Sequence, residues 1–272
     1  MTRPVIALLT DYGAGSEHVG ALHAVVARAC PAADRIDLAH DIPPGDVRRG
    51  AVVLARLAPL LPPGAIVVAV VDPGVGGERR GLAIGLHAGG ALVGPDNGLL
   101  APAAGRLGAD RAWALPTPPG VPATFHGRDV FAPAAAALAL GAAPLGTPID
   151  PAGIVRPHLP APRVAAGRLE ATVLGADRFG NVELLAGPED LAAAGIGIGD
   201  AVRVDPAGAG PVHAATVART FSDVPSGALL VHVDSSGAVA VALNGGDAAA
   251  RLGAATGAPL AITTAGGARP AI

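Results

Sequence analysis

Short apolar runs alternate with amphipathic stretches over the first half of the chain, and each apolar run ends in a polar turn. Val5 to Leu9 reads as a buried strand opening into Thr10-Asp11-Tyr12-Gly13, Glu17 to Ala29 as a helix, and Arg35 to Ala39 as a second strand. Asp46 to Leu61 spaces its apolar residues helically, with Asp46 at the cap and Pro62-Pro63-Gly64 as the stop. Ile66 to Val71 is β-branched except for Ala69, the pattern of a strand buried on both faces, and it runs into Asp72-Pro73-Gly74. Leu82 to Leu86 and Ala91 to Val93 are further strands, the latter leading into Gly94-Pro95-Asp96-Asn97-Gly98. Asp129 to Leu140 is a helix with Pro133 at a tolerated early position.

Strands alternating with helices imply a mostly parallel sheet, and ligands of such sheets gather at the carboxyl ends of the strands, where Asp11, Asp72 and Asp96 fall. Beyond Leu145 the texture changes. Pro144, Pro148, Pro151, Pro157, Pro160 and Pro162 mark a connection, after which Leu169 to Leu174, Asn181 to Leu185, Ala201 to Val204, Leu229 to Val233 and Ala238 to Leu243 read as short strands. The chain is thus expected to be α/β: an N-terminal, mostly parallel α/β sandwich domain over residues 1–150, a Pro-rich linker over 151–167, and a smaller all-β, barrel-like domain over 168–272.

Composition narrows the function. With 272 residues there is enough chain for a full core, and 51% apolar residues with 2% aromatics mean that Val, Leu, Ile and Ala must build it. A net charge of −3 without runs of like charge gives no support for nucleic-acid or membrane-surface partners, which leaves a small molecule. One cysteine, Cys30, excludes an internal disulfide and a multi-thiolate zinc site. The uncharged stretch from Val130 to Ile149 is broken by Pro133, Gly141 and Pro144, so a buried helix and loop are expected there rather than a membrane span. The N-terminal residues enter a strand without a leader-like segment, and a cytoplasmic protein is expected.

Only 15% of residues are charged, so the polar clusters stand out. Asp72 sits where a buried strand meets a loop, with Arg79 seven residues on; Arg80 beside it is an equal claimant, and either residue could serve a turn or the surface. His126 lies between Phe125 and Gly127 just before a helix start. If Arg79 lies beside it, the like charge disfavours imidazolium and leaves a neutral ring, the state a general base needs. Gly74, Gly76 and Gly77 lack the Lys-Ser/Thr pair and the order of a phosphate or dinucleotide loop, and HExxH, GxSxG and CxxC are absent. The eight histidines show no metal-ligand spacing, and no metal is expected.

Together these segments resemble a family. Thr10-Asp11-Tyr12-Gly13, Asp72-Pro-Gly-Val-Gly-Gly-Glu-Arg79, Gly94-Pro-Asp-Asn-Gly98, Phe125-His-Gly-Arg-Asp129 and Asp177-Arg-Phe-Gly-Asn181 follow the order found in S-adenosyl-L-methionine hydroxide adenosyltransferases, relatives of the fluorinase and chlorinase enzymes. The resemblance implies attack of water or hydroxide on C5′ of S-adenosyl-L-methionine, giving adenosine and L-methionine. It implies catalytic roles for Asp72, Arg79 and His126, ribose binding by Asp11, and a methionine ammonium contact from Asp177. It further implies adenine contacts from Phe179, Asn181 and the backbone of Gly245, and a methionine contact from Ser235. The usual Asn-Ser-x-Gly is here Asp234-Ser235-Ser236-Gly237, a departure from the family pattern. No cofactor is implied, because S-adenosyl-L-methionine is the substrate, and a homotrimer with its site between subunits is. The halogenating relatives carry Phe-Tyr-Ser at the Phe-His-Gly segment and Tyr at the Asp72 position, so hydroxide is the expected nucleophile. A chlorinase-like halogenase and a non-catalytic binding protein for S-adenosyl-L-methionine or adenosine are the alternatives.

Overall fold

The structure is a computed structural model that describes residues 3–143, 146–206 and 210–266. The chain divides into two compact units, Met1–His158 and Leu159–Ile272.

In the first unit, β1 (Val5–Thr10), α1 (Glu17–Ala29), β2 (Asp34–Ala39), α2 (Val47–Leu57), β3 (Ile66–Val70), β4 (Gly81–Leu86), β5 (Ala91–Pro95), α3 (Ala101–Leu107), β6 (Ala109–Leu115), α4 (Ala132–Ala139) and β7 (Thr147–Ile149) follow in order. The sheet runs β2-β1-β3-β5-β4-β6-β7. Its β2, β1, β3 and β5 are mutually parallel, as the alternation of strand and helix patterns anticipates. Beyond β5 the pairing turns antiparallel, because β4 and β5 are joined by the tight turn around Gly89 and Gly90 and leave no chain for a crossover. All five residues of β3 are buried, and apolar layers lie on both faces of the sheet. Helix α1 starts where the Ser16 hydroxyl accepts the His18 N–H, and it buries Val19, Leu22 and Val26 on one face; α2 starts where Asp46 accepts the Arg49 N–H. The helix expected at Asp129 begins two residues earlier. Gly127–Phe131 forms one wide π turn, with Ala132 N–H reaching back to the Gly127 carbonyl, before the α-helical bonding of α4 takes over.

The expected linker is anchored over much of its length. Ile154 is buried in the core of the first unit, and Val155 N–H donates to Asp96 Oδ1 at 2.8 Å. Arg163–Ala165 forms β8, paired antiparallel with β9 (Arg168–Ala176). Pro144, first of the proline series, lies outside the described residues.

After β9 the second unit continues through β10 (Val182–Leu184), α5 (Pro188–Ala193), β11 (Ala201–Asp205), β12 (His213–Val217), β13 (Leu229–Val233), β14 (Val239–Leu243), α6 (Ala248–Leu252) and β15 (Pro259–Thr264). Its order β10-β14-β13-β12-β11-β15-β9-β8, with β10 also paired to β9, closes seven strands into a barrel and leaves β8 as a flap. Closure removes the exposed edges of a short-stranded sheet, and alternate side chains such as Leu169, Val202, Val204, Val231, Val239, Val241 and Ile262 fill the interior. No helix among the described residues is long and apolar enough to cross a membrane.

Two glycines give opposite expectations. A Cβ at Gly94 in β5 would land on the backbone carbonyl oxygen of Ala69 in β3, which cannot rotate away, whereas Gly105 in α3 faces open space. Gly94→Ala should cost at least about 1–3 kcal/mol in chemical denaturation. Gly105→Ala should be neutral or stabilising by up to about 1 kcal/mol.

Candidate active site

The carboxyl ends of the parallel strands assemble the site. Thr10 ends β1 opposite Val70 of β3, so Asp11 and Asp72 emerge at the same edge of the sheet; Asp96 follows β5 there as well. The short segment leading into β4 then settles which arginine belongs to which acid. Arg79 turns to Asp72, with Nε donating to Oδ1 at 2.9 Å and to Oδ2 at 3.0 Å and Nη2 donating to Oδ2. Arg80 turns to Asp96, with Nε at 2.9 Å and Nη2 at 2.5 Å from Oδ2 and Nη2 also on the Gly153 carbonyl at 3.1 Å. Arg80 thereby ties residues 150–155 to the sheet and is absent from the first cluster.

His126 joins the first cluster. Arg79 Nη2 donates to its Nδ1 at 2.9 Å, so one guanidinium bridges a carboxylate and an imidazole from three separate segments. The Asp72 and Arg79 side chains are 4% and 11% exposed, and His126 is buried. Phe131 walls the group: its ring stands edge-on to His126, at 6.4 Å and 84°, and the Arg79 guanidinium lies 5.4 Å from its centre. Burial first, and the Arg79 charge second, hold the His126 pKa below the ordinary imidazole value against the opposing pull of Asp72 and Asp129.

The ring is therefore neutral near pH 7, as its placement beside Arg79 requires. Its tautomer alters the role expected of it. Guanidinium only donates, so Nδ1 is an acceptor and the ring proton sits on Nε2. A neutral His126 in this bond presents an N–H donor rather than the open lone pair of a base.

Around the group, Asp11 Oδ2 accepts the Gly45 N–H at 2.8 Å, which fixes that carboxylate against the loop before α2. Tyr12 packs edge-on to Phe125 at 5.8 Å and 82°; burial, with the charges of Asp11 and Asp72, pushes its phenol well above the usual range. Gly127 is buried under the Tyr12 hydroxyl, and a Cβ there would come within 2.5 Å of Oη. Tyr12 and Phe131 were not singled out as site residues from sequence. Their helical or turn context reads as ordinary core, and only their contacts with Gly127 and His126 distinguish them.

The second unit carries the remaining expected residues. Asp177, Phe179 and Asn181 share the β9–β10 turn, where Asp177 Oδ1 accepts the N–H groups of Phe179 (2.8 Å) and Asn181 (2.9 Å) and Oδ2 accepts Asn181 Nδ2 (2.8 Å). Asp177 thus shapes the turn. Phe179 stands 64% exposed, with the Arg178 guanidinium 4.7 Å from its ring centre. Asp234, at the family's Asn position, shapes its turn, since Oδ1 accepts from Ser236 N, Ser236 Oγ and Ala238 N at 2.6–3.0 Å. Ser235 lies on that β13–β14 turn, before β14, whereas Gly245 follows β14 at the end that carries the Asp177 turn. A five-residue strand spans roughly 16 Å, so these residues form two groups rather than one.

Comparison with known proteins identifies the family of both units. Residues 6–147 match the family model of the SAM hydroxide adenosyltransferase N-terminal domain, and residues 171–261 that of the SAM hydroxide adenosyltransferase C-terminal domain. A curated protein of Salinispora tropica, named (R)-S-adenosyl-L-methionine hydrolase, is 50% identical over 268 residues, covering 96% of this chain and 98% of its own. One of the same name from Thermus thermophilus is 40% identical over 274 residues, covering 96% and 99%. A solved structure of an uncharacterized conserved protein from Thermotoga maritima superposes with a TM-score of 0.86 at 33% identity, covering 95% of this chain and 99% of that one. The chain belongs to the SAM hydroxide adenosyltransferase family.

Proposed function

We propose that this chain hydrolyses S-adenosyl-L-methionine at C5′, releasing adenosine and L-methionine. The observation that carries the reading is the buried Asp72–Arg79–His126 group beside Asp11, and the relatives named (R)-S-adenosyl-L-methionine hydrolase support it. The water oxygen attacks C5′, the C5′–S bond breaks, its electron pair passes to the methionine sulfur, and the water proton leaves through Asp72. A sulfonium is already a good leaving group, so little acid catalysis is required. Arg79 and the Nε2–H of His126 donate to the attacking oxygen and favour its hydroxide form, while Asp72 accepts the proton. Alignment of water behind the C–S bond supplies the largest share, about 7–11 kcal/mol in favourable cases.

In this reading Asp11 accepts from the ribose hydroxyls. Phe179, Asn181 and the backbone of Gly245 hold adenine at one end of β14, and Ser235 meets the methionine portion at the other. The elongated substrate suits two separated groups. Asp177 positions Phe179 and Asn181 by accepting from three donors of its own turn. No cofactor enters the reaction. The proposal includes a homotrimer, with the first domain of one subunit facing the second domain of its neighbour, and a cytoplasmic enzyme without nucleic-acid or membrane partners.

Purified protein incubated with S-adenosyl-L-methionine should release adenosine and L-methionine in equal amounts by chromatography. His126→Ala should lower kcat by about 10²–10³ through loss of one donor. Tight binding without turnover would instead favour a binding protein, and chloride-dependent chlorodeoxyadenosine would favour a halogenase.

The tautomer gives a pH test. Protonating His126 puts an Nδ1–H against the Arg79 N–H and a second positive charge beside the first. Since the folded-state pKa is depressed, the ring stays neutral above that value and activity is lost only as pH falls through it. The acid limb of kcat/KM should lie below about 6.5, with no further rise above it due to this group. A midpoint above 6.5 that vanishes in His126→Asn would refute the neutral-ring reading.

The halogenase reading requires a side chain at residue 127, where the Tyr12 hydroxyl already fills the space. Gly127→Ser should cost about 1–3 kcal/mol in thermal or chemical denaturation as Tyr12 is displaced. Hydrolysis should fall without chlorodeoxyadenosine appearing in chloride.

A further inference from the structure

Outside the catalytic group, α1 and the end of β2 bring together His23, Asp37 and His40, whose ligand atoms lie within 4.8 Å of one another. His23 Nε2 is 2.9 Å from Asp37 Oδ1, and His40 Nε2 is 3.0 Å from the same oxygen. The two imidazoles are not equivalent. His23 is partly exposed and hydrogen-bonds Asp37, whereas His40, only 6% exposed, sets a buried Nε2 at ion-pair distance from the same carboxylate oxygen. Its other nitrogen is occupied, with Nδ1 2.8 Å from Thr10 Oγ1.

We propose that His23, Asp37 and His40 bind a divalent transition-metal ion of the zinc type, through the two Nε2 atoms and a carboxylate oxygen of Asp37. Two imidazoles and one carboxylate form a borderline donor set that suits zinc and its neighbours rather than magnesium or calcium. Tetrahedral bonds of about 2.0–2.1 Å place ligand atoms roughly 3.3 Å apart, so small side-chain movements convert the present spacing into coordination. Asp37 and His23 are the accessible ligands, with side chains 47% and 30% exposed, and give the ion its entry; water completes the shell. Thr10 is the outer support, because Nδ1–H donation to its hydroxyl oxygen turns the His40 Nε2 lone pair toward the ion.

Sequence spacing conceals the site, since its residues come from a helix and from the strand that follows it.

The ion would act on the substrate loop rather than on the chemistry. Thr10 Oγ1 also accepts the Tyr12 N–H at 3.2 Å, and the His40 carbonyl accepts the Gly13 N–H at 2.7 Å, so a fixed His40 steadies the turn that carries Asp11. Binding to the metal is measurable without substrate and does not depend on the proposed hydrolysis.

Chelator-treated full-length protein titrated with Zn²⁺ in a calorimeter should bind one ion per chain, and its melting temperature should rise. His23→Ala and Asp37→Asn, both at accessible positions, should each weaken binding at least tenfold and remove the thermal shift while leaving the far-ultraviolet circular dichroism unchanged. Asp37→Asn serves alone if His23→Ala fails to fold. Absence of saturable Zn²⁺ binding in the unmodified chain, or equal affinity in the folded variants, overturns the proposal.

Discussion

The guanidinium of Arg79 is the contact on which the site depends. It is permanently charged, planar and able only to donate, and it lies across Asp72 and His126 in a largely buried position. Those properties settle its neighbours: the carboxylate is held edge-on, and the imidazole is kept neutral with its proton on the far nitrogen. Removing one partner of such a buried pair leaves an uncompensated charge worth about 3–5 kcal/mol. Local stability and the electrostatics of the group are thus one feature. A lysine would supply the charge but neither the fork nor the fixed tautomer.

The fold places this contact by strand geometry. Parallel strands point their carboxyl ends to one edge, which brings together acids distant in sequence, and the chain entering β4 sends consecutive arginines to different acids. This part was legible beforehand, because the apolar runs before Asp11, Asp72 and Asp96 are unambiguous and the Asp46 cap marks α2 well. Other elements were hidden by composition. Ala101–Leu107 and Ala109–Leu115 are rich in alanine, whose weak periodicity leaves no pattern, and β6 and α3 take form only against their neighbours. The proline-rich segment looked like a free connection because prolines suppress regular structure. Anchoring by Ile154 and Val155 is a tertiary matter that local sequence does not encode.

Within the site, the identity of the three central residues could be read from sequence, but their division of labour could not. Proximity of Arg79 predicts a neutral ring; only the direction of the Nη2–Nδ1 bond turns that ring from acceptor to donor. Asp177 shows the same limit. Its motif suggests a ligand carboxylate, yet three donors from its own turn already occupy it, and its first task is to orient Phe179 and Asn181. Asp234 replaces the family's amide, and its Oδ1 accepts from Ser236 N, Ser236 Oγ and Ala238 N, a role that carboxylate and amide oxygens share.

Scarcity of aromatics sharpens the picture. The chain has one tyrosine and four phenylalanines, and Tyr12, Phe125 and Phe131 are all gathered around residues 79 and 126. Alanine, valine and glycine pack a sheet well but are too small to wall off a polar group. Rigid rings do so, and they hold no competing hydrogen-bond partners on their faces. Burial lowers the effective dielectric, so a hydrogen-bond donor in this group is stronger than in solvent. Three of the six aromatic rings of an aromatic-poor sequence thus stand around this group, and burial is the first cause that holds the His126 pKa below the ordinary imidazole value.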